Sequence, residues 1–549
     1  MPSLEQAKFL EAVKVLRRNP HTKDKTLDTA VKNFLTEYQD NCMNVYAENP
    51  YILVTDFNLP FYYFRYRVGI NDFTRSRIKV PTFRMHLNEV FAAISDILNQ
   101  NESQGNSYLY MHDLYVRIRK FFNYTSVERL SAYLHYFRDV FYYKDERVAF
   151  LKTYQAEKYI YDRVSALLDR EGCTTSDFVY EDSDELAVEQ NDAIRLSMTA
   201  DISIITGGPG TGKTTTIKTL LEEYKSNYPN RSVRLLAPTG KASRRLTESV
   251  DGYGEARTVD SLTFGHKIRK EEQEDIDLCI IDEFSMESIF AFCDFLRYIN
   301  PRKMILVGDI DQLSAIGAGN LLYDFIHMGV VTATLDINHR NGDTILENAR
   351  KIKNKKTDLK FTDNFQFVDA TRDEVENTLV SLRHNDNDMI LTPYRYEAEY
   401  VNEAVHNNLF PCDYVKYSIG DRVMLTKNRK AKKYVNGDTG VILRFEEQSI
   451  IVGLDNSEQS EIAIKEKDID DMTHAYAITV HKSQGSEYPT VIIAIPTGCS
   501  NIFSTKLLYT AVTRAKNKVI LVGDRQELDK LITTSNENDR VTFLADYAI

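Results

Sequence analysis

Residues 202–216 read Ile-Ser-Ile-Ile-Thr-Gly-Gly-Pro-Gly-Thr-Gly-Lys-Thr-Thr-Thr, an apolar run and a glycine-rich turn, and a helix-like stretch, Ile217-Lys218-Thr219-Leu220-Leu221, follows. The spacing Gly207-x-x-x-x-Gly212-Lys213-Thr214 between a strand and a helix is that of a P-loop. Glycines let the backbone curl until several N–H groups point inward at one anion, and the following helix adds its positive end. Gly207, Gly208, Pro209, Gly210, Thr211, Gly212 and Thr215 are therefore expected to wrap a nucleoside triphosphate. Lys213 reaches the β- and γ-phosphates, and the Thr214 hydroxyl completes the shell of a Mg²⁺ ion.

Further along, the apolar Leu278-Cys279-Ile280-Ile281 ends in Asp282-Glu283. A buried strand holds two carboxylates at its tip, Asp282 to bind Mg²⁺ and Glu283 to take a proton from attacking water. Val307-Gly308-Asp309-Ile310-Asp311-Gln312-Leu313 is another strand end. Its Gln312 amide suits contact with both the γ-phosphate and the water. Charge leaving on the γ-phosphate is best neutralised by a planar cation from across a cleft, and Arg340 and Arg514 are the candidates.

The chain has 549 residues, too long for one core, and roughly 150 residues per domain predicts about three or four units. Its net charge of −12, from 68 basic and 80 acidic residues, excludes a polycation that coats nucleic acid, though not a basic channel. Cys42, Cys173, Cys279, Cys293, Cys412 and Cys499 are scattered, without metal or redox spacing, which favours a reducing compartment and no structural zinc. No apolar run approaches the ~20 residues that span a bilayer, and the amphipathic Ser3–Leu10 lacks a signal-peptide core, so a cytoplasmic protein without membrane contact is expected.

Residues 1–180 are rich in tyrosine and phenylalanine at helical spacing and carry no catalytic motif. Two segments there, Phe61–Arg67 and Arg117–Tyr124, interleave aromatics with cations. Such a mixture either stacks bases or forms an aromatic core with a solvated basic edge, the second being favoured. The acidic Tyr180–Glu185 reads as a linker ending in a helix cap, and Leu186–Met198 as a helix carrying Gln190. Apolar runs at Ser232–Leu236, Asp277–Ile281 and Lys303–Val307 alternate with helical patterns, which implies a parallel sheet covered on both faces. From 413 to 470 short β-like runs surround the tight-turn signal Asn436-Gly437-Asp438, the mark of a small barrel-like insertion. The α/β pattern then resumes at Ala475–Val480, Thr490–Ala494 and Lys518–Val522, so the second sheet draws on both sides of the insertion.

These motifs, together with Ala237-Pro238-Thr239-Gly240-Lys241-Ala242, Gly420-Asp421-Arg422-Val423-Met424, His481-Lys482-Ser483-Gln484-Gly485-Ser486-Glu487 and Tyr509-Thr510-Ala511-Val512-Thr513-Arg514-Ala515-Lys516, resemble the RecD-like helicases of superfamily 1 over residues 186–549. The resemblance implies an α/β protein of two RecA-like parallel-sheet motor domains, a small SH3-like β-barrel insertion and a mainly helical N-terminal domain. It divides the chain into 1–180, a first motor domain at 181–335, a second at 336–412 and 471–549, and the insertion at 413–470. It also implies an ATP-dependent DNA helicase moving 5′ to 3′, with Gln190 reading the adenine and Arg340 and Arg514 completing the site. A superfamily 1 motor directed at RNA is the alternative, and residues 1–180 are the candidate docking module for a protein partner.

Single-stranded DNA and duplex junctions are the expected polymer partners. Pro238, Thr239 and Lys241, like His481, Lys482 and Ser483, offer N–H groups, a hydroxyl and a cation at a strand end, a set suited to phosphates. Thr392, Pro393 and Tyr394 add an aromatic for a base, and Lys427, Arg429, Lys430, Lys432 and Lys433 form a basic run that suits either a strand guide or a solvated hairpin. The chain departs from the family pattern at Ser314, at Arg340-Asn341 and at Asp260. The segment near 250–275 is short, so the strand-splitting hairpin is expected to be small, with Phe264 meeting the duplex.

Overall fold

The structure, a computed structural model, describes residues 3, 6, 9–10, 25–61, 64, 82–123, 125–170, 178, 180–250, 252–269, 272–337, 344–383, 388–411, 415–429, 434–455, 461–495, 504–533 and 540–547. They form two units, one of Met1–Lys158 with Ile316–Gly319 and Arg540–Asp546, the other of Tyr159–Ala315, Asn320–Asp539 and Tyr547–Ile549.

In the first unit, helices such as Lys25–Tyr38 and Thr82–Ser103 bury an aromatic core that includes Phe34, Tyr46, Phe61, Phe64 and Phe122. The described aromatics of the two aromatic-and-cation segments are thus core, and the Arg119 guanidinium lies 5.6 Å from the Tyr115 ring. Strands β1 (Leu109–Tyr110), β2 (Phe141–Lys144) and β3 (Arg147–Phe150) make an antiparallel sheet with β3 in the middle. Asp145 and Glu146, at φ 51° and 59°, join β2 to β3 with the twist that a two-residue hairpin needs. The tail enters this unit through Phe543, whose ring lies 4.8 Å from Tyr108 and whose N–H donates to the buried Glu157 carboxylate at 2.8 Å.

The second unit holds three sheets. In the first, β4 (Ile202–Gly207), β5 (Val233–Ala237), β6 (Arg257–Thr258), β7 (Glu274–Ile281), β8 (Ile299–Gly308) and β9 (Val331–Leu335) lie in the order β6-β5-β7-β8-β4-β9, every pair parallel. Every residue of β4 is buried, as an apolar strand covered on both faces must be. The helix Lys213–Asn227 contributes Ile217, Leu220 and Leu221 to the same core. Strands β6 and β9 carry little apolar signal and were not expected from the sequence.

The chain continues through β10 (Phe365–Asp369) and β11 (Asp388–Thr392) and then inserts β12 (Arg422–Leu425), β13 (Thr439–Glu446), β14 (Ser449–Leu454), β15 (Glu461–Lys465) and β16 (Met472–His474). It ends with β17 (Ala477–Thr479), β18 (Tyr488–Ala494) and β19 (Ala515–Gly523). The second sheet is parallel in the order β10-β19-β18-β11-β17, with members from both sides of the insertion as expected. The insertion is an antiparallel sheet in the order β15-β14-β13-β12-β16, running on to His474. No ladder joins β15 to β16 among the described residues, so the SH3-like closure expected there is not among the described pairings.

Two local expectations are corrected. The segment expected to form a pin hairpin is the helix Val259–Arg269, which buries Leu262, Thr263 and His266 and leaves Phe264 63% exposed on the opposite face. The acidic linker is fastened rather than loose, since the Asn191 side chain accepts from the Tyr180 hydroxyl at 2.5 Å and the Ser183 N–H at 3.1 Å. Among the described residues no helix is long and apolar enough to cross a membrane.

The root of the insertion is held by Asp421, whose side chain is 0% exposed. Burial pushes its carboxyl up, but hydrogen bonds from His474, Tyr476, His406 and the Ser418 N–H outweigh it and hold the group down at about 2. A carboxyl lower in the folded chain than in the unfolded one adds stability above the unfolded value, and that stability disappears as pH falls through the folded value. Asp421→Asn is expected to remove roughly 2 kcal/mol at pH 7 and progressively less below about pH 4. Denaturant melts of the two proteins at pH 7 and pH 3 check this, and an equal gap at both would refute it.

Candidate active site

The P-loop of the second unit is closed by steric fit and by its own hydrogen bonds. A Cβ on Gly207 would lie 2.6 Å from the Leu335 carbonyl oxygen, and Gly212 caps the following helix at φ 83°. Both positions therefore require glycine. Thr211 Oγ1 donates to the Gly208 carbonyl at 2.8 Å, and Lys213 Nζ donates to the Gly207 and Gly208 carbonyls at 2.6 and 2.9 Å. Gln190 braces the loop from outside: its Nε2 donates to the Thr211 carbonyl at 3.2 Å while its Oε1 accepts from the Ala187 N–H at 2.9 Å.

At the end of β7, Glu283 adopts φ 52°, a left-handed conformation that is strained for a residue with a Cβ. The turn aims the acid pair at the same cavity, of about 470 Å³, that Lys213, Thr214 and Thr215 line. Asp282 Oδ1 accepts from the Glu283 N–H at 2.9 Å, and burial first and the Glu283 charge second raise its carboxyl above the usual range. A threonine hydroxyl and a carboxylate are hard oxygen donors, so Thr214 and Asp282 fit a magnesium ion. Gln312, 4% exposed, enters from the end of β8; its Nε2 donates to Asp309 at 3.2 Å and its Oε1 has no hydrogen-bond partner among the described residues. A buried acceptor left open in a polar cavity is suited to a ligand or water donor.

The second sheet supplies Arg514. It is 3% exposed, donates to the Thr510 and Ser486 carbonyls at 3.1 and 3.3 Å and to the Thr513 hydroxyl at 3.3 Å, and makes no ion pair among the described residues. The Glu487 carboxylate feels its charge only from beyond ion-pair distance, and a buried guanidinium held by neutral acceptors is suited to an anion delivered to it. It lines the cavity together with Lys213, Glu283 and Gln312. Arg340 lies outside the described residues.

Several residues that join the lobes were not singled out from the sequence. The Tyr509 hydroxyl donates to Asp309 at 3.1 Å, the Leu313 N–H donates to Thr510 Oγ1 at 3.0 Å, and Gln484 Nε2 donates to the Leu313 carbonyl at 3.0 Å. The segment bearing Gln312 is thereby stapled to the second lobe. Arg245 and Glu487 line the nucleotide cavity as well. The one legible signal for Arg245 was its position three residues beyond Ala242, on the same helix face.

The expected strand contacts divide. Lys482 lines a groove of about 410 Å³ with Arg395, Lys416, Thr426, Asn436 and Thr479, between the helix Arg395–Leu409 and the insertion. His481 and Pro238 are half-buried, and so is Tyr394, whose ring stacks on Tyr396 at 5.3 Å. Thr239 uses its hydroxyl oxygen as a helix cap, accepting from the Ala242 N–H at 3.2 Å. Two side chains are corrected as contacts, since Thr392 and Ser483 are 0% exposed and donate internally, to the Tyr394 and Val480 carbonyls. Pro393 is buried too. The end of β11 and the helical turn Val480–Ser483 point these side chains inward, which the motif spacing does not reveal. Lys241 lines a different cavity. Of the basic run, Lys427 and Arg429 pair with Asp471 at 2.6 and 2.9 Å, and Lys430, Lys432 and Lys433 lie outside the described residues.

The AAA domain family matches residues 185–373, and the UvrD-like helicase C-terminal domain family matches residues 474–522. RecBCD enzyme subunit RecD of Mycobacterium tuberculosis is 28% identical over 405 residues, 61% of this chain and 69% of that protein. The ATP-dependent RecD2 DNA helicase of Deinococcus radiodurans is 28% identical over 339 residues, 58% of this chain and 46% of that one. Among solved structures, Bacteroides Pif1 bound to ssDNA aligns over 62% of this chain and 93% of its own at 21% identity and a TM-score of 0.42.

Proposed function

We propose, for a chain that belongs to the RecD-like helicases of superfamily 1, that ATP hydrolysis in this cavity drives movement 5′ to 3′ along single-stranded DNA and the opening of duplex. The observation that carries the reading is Arg514, a buried guanidinium with no ion pair among the described residues, which comes from the second lobe and lines the P-loop cavity of the first. A site so divided completes itself only when the lobes meet, which is how nucleotide chemistry becomes motion.

In this reading Lys213 neutralises the β- and γ-phosphates and Glu283 takes a proton from the attacking water. The open Oε1 of Gln312 accepts a hydrogen bond from that water's other O–H, which stays on the oxygen, and Arg514 meets the charge that leaves with the γ-phosphate. Arg340 is proposed as a second cation and Gln190 as the reader of adenine. Mg²⁺ held by Thr214 and Asp282 would supply charge neutralisation at the phosphates. Lys482 and Lys241 are proposed to hold strand phosphates, Tyr394 to stack a base, and Phe264 to meet the duplex from a helix.

The test is strand separation on duplexes with a 5′ or a 3′ single-stranded tail. Unwinding that requires ATP and a 5′ tail is expected; a 3′-tail preference would refute the direction, and no unwinding of either would refute the helicase reading. We also propose a protein partner through residues 1–180, on the ground that the mycobacterial relative is a RecBCD subunit. Full processivity by the purified chain alone would count against it.

A further inference from the structure

Beside the nucleotide cavity lies a second, of about 480 Å³, that the ATPase reading does not employ. Arg245, Gly485 and Glu487 line both, so they form the wall between them. The second cavity gathers four cations, Lys241, Arg244 and Arg245 from the helix Gly240–Ser249 and Lys516 from β19, against the carboxylates of Glu248, Asp438 and Glu487, and Arg244 is paired with Asp438 at 3.0 Å. One carboxylate holds the wall together: Glu487 Oε1 lies 3.0 Å from Arg245 Nη2, and its Oε2 lies 3.7 Å from Lys516 Nζ. Lys241 makes no ion pair among the described residues; its ammonium lies 5.8 Å from the Tyr488 ring, and burial lowers its pKa. Burial outweighs the more distant Asp438 and Asp455 carboxylates, and a desolvated cation that pairs with neither among the described residues is suited to an anion.

We propose that this cavity receives the inorganic phosphate cleaved from ATP and is its way out, with the Arg245–Glu487 pair as the gate. The inference rests on the ATPase reading of the first cavity. Cleavage leaves phosphate among Lys213, Glu283, Gln312 and Arg514, while ADP still fills the remainder of the cavity. The wall formed by Arg245 and Glu487 adjoins that place, and the charges of Glu283 and Asp282 are felt at Arg245 after burial and Glu487. Arg245 is 49% exposed and Glu487 22%, and a pair so open to water holds with little energy. An arriving phosphate therefore competes with Glu487 for Arg245, and Lys516 takes up the released carboxylate. Glu487, on the second lobe, then loses its grip on the helix of the first, which ties phosphate loss to separation of the lobes.

The experiment is transient kinetics on the full chain, with cleavage read by acid quench and free phosphate by a fluorescent phosphate sensor. Lys516→Met leaves Glu487 to Arg245 alone and is expected to slow release about fivefold with the cleavage rate unchanged. Glu487→Gln frees Arg245 and is expected to speed release. Inhibition by added inorganic phosphate reads the same site from outside, and Lys516→Met is expected to raise the inhibitory concentration about fivefold. Release and inhibition unchanged in both variants, with cleavage intact, overturn the inference; absence of cleavage in the unaltered protein overturns the ATPase reading instead. The phosphates of a bound strand are the other source of the same chemistry. If Lys516→Met weakens single-strand binding by anisotropy while release and inhibition stay as they were, the cavity belongs to the strand and the exit is refuted.

Discussion

Arg514→Ala is expected to lower kcat for ATP hydrolysis by about a thousandfold while nucleotide still binds. The reason lies in its surroundings: three neutral acceptors hold the guanidinium in place, and no carboxylate among the described residues pairs with it directly. Charge developing on the leaving group is the partner it lacks, and it meets that partner best as the bond breaks. An interaction made chiefly in the transition state shows in kcat rather than in binding. Arg514→Lys is expected to recover little, because an ammonium cannot reproduce a planar fork. Steady-state hydrolysis alongside a fluorescent-nucleotide titration separates the two quantities. A loss of less than about tenfold would remove Arg514 from the reaction and with it the link between lobe closure and chemistry.

Lys213→Ala is expected to abolish measurable hydrolysis, a loss of at least about a hundredfold, with single-strand affinity largely unchanged. Its ammonium is held over the loop by the Gly207 and Gly208 carbonyls, where a β- or γ-phosphate oxygen would sit. The groove that carries Lys482 is built from other elements, so strand binding does not depend on it. Hydrolysis rates with and without a single-stranded oligonucleotide, and fluorescence anisotropy of that oligonucleotide, read both effects. Retained DNA-stimulated hydrolysis would defeat the assignment of the P-loop.

Strand periodicity made the fold legible where both faces of a strand are buried. In β4 and in the C-terminal halves of β7 (Leu278–Ile281) and β8 (Met304–Val307) the residues are buried and mostly apolar, and these runs stand out from flanking helices. The two-residue β6 does not, and the helix Val259–Arg269 was expected as a hairpin because the family resemblance, rather than the pattern of its own residues, supplied that reading. At the site, the P-loop and the Asp282-Glu283 pair were readable because chain neighbours build them. Thr392, at the end of β11, and Ser483, in the helical turn Val480–Ser483, were misjudged because the direction of a side chain depends on what packs behind it.

The residues by themselves determined the chemistry: a glycine turn that only a polyphosphate suits, an acid pair at a strand tip and an amide beyond the next strand. That information is local, a matter of which backbone shapes and donor groups a few consecutive residues can offer. Packing decided the rest: that Arg514 is buried and held by neutral acceptors, that Glu283 is twisted toward the cavity, and that Arg245 and Glu487 form one wall. Those properties belong to pairs far apart in the chain, and burial and distance acquire values only once two sheets have come together.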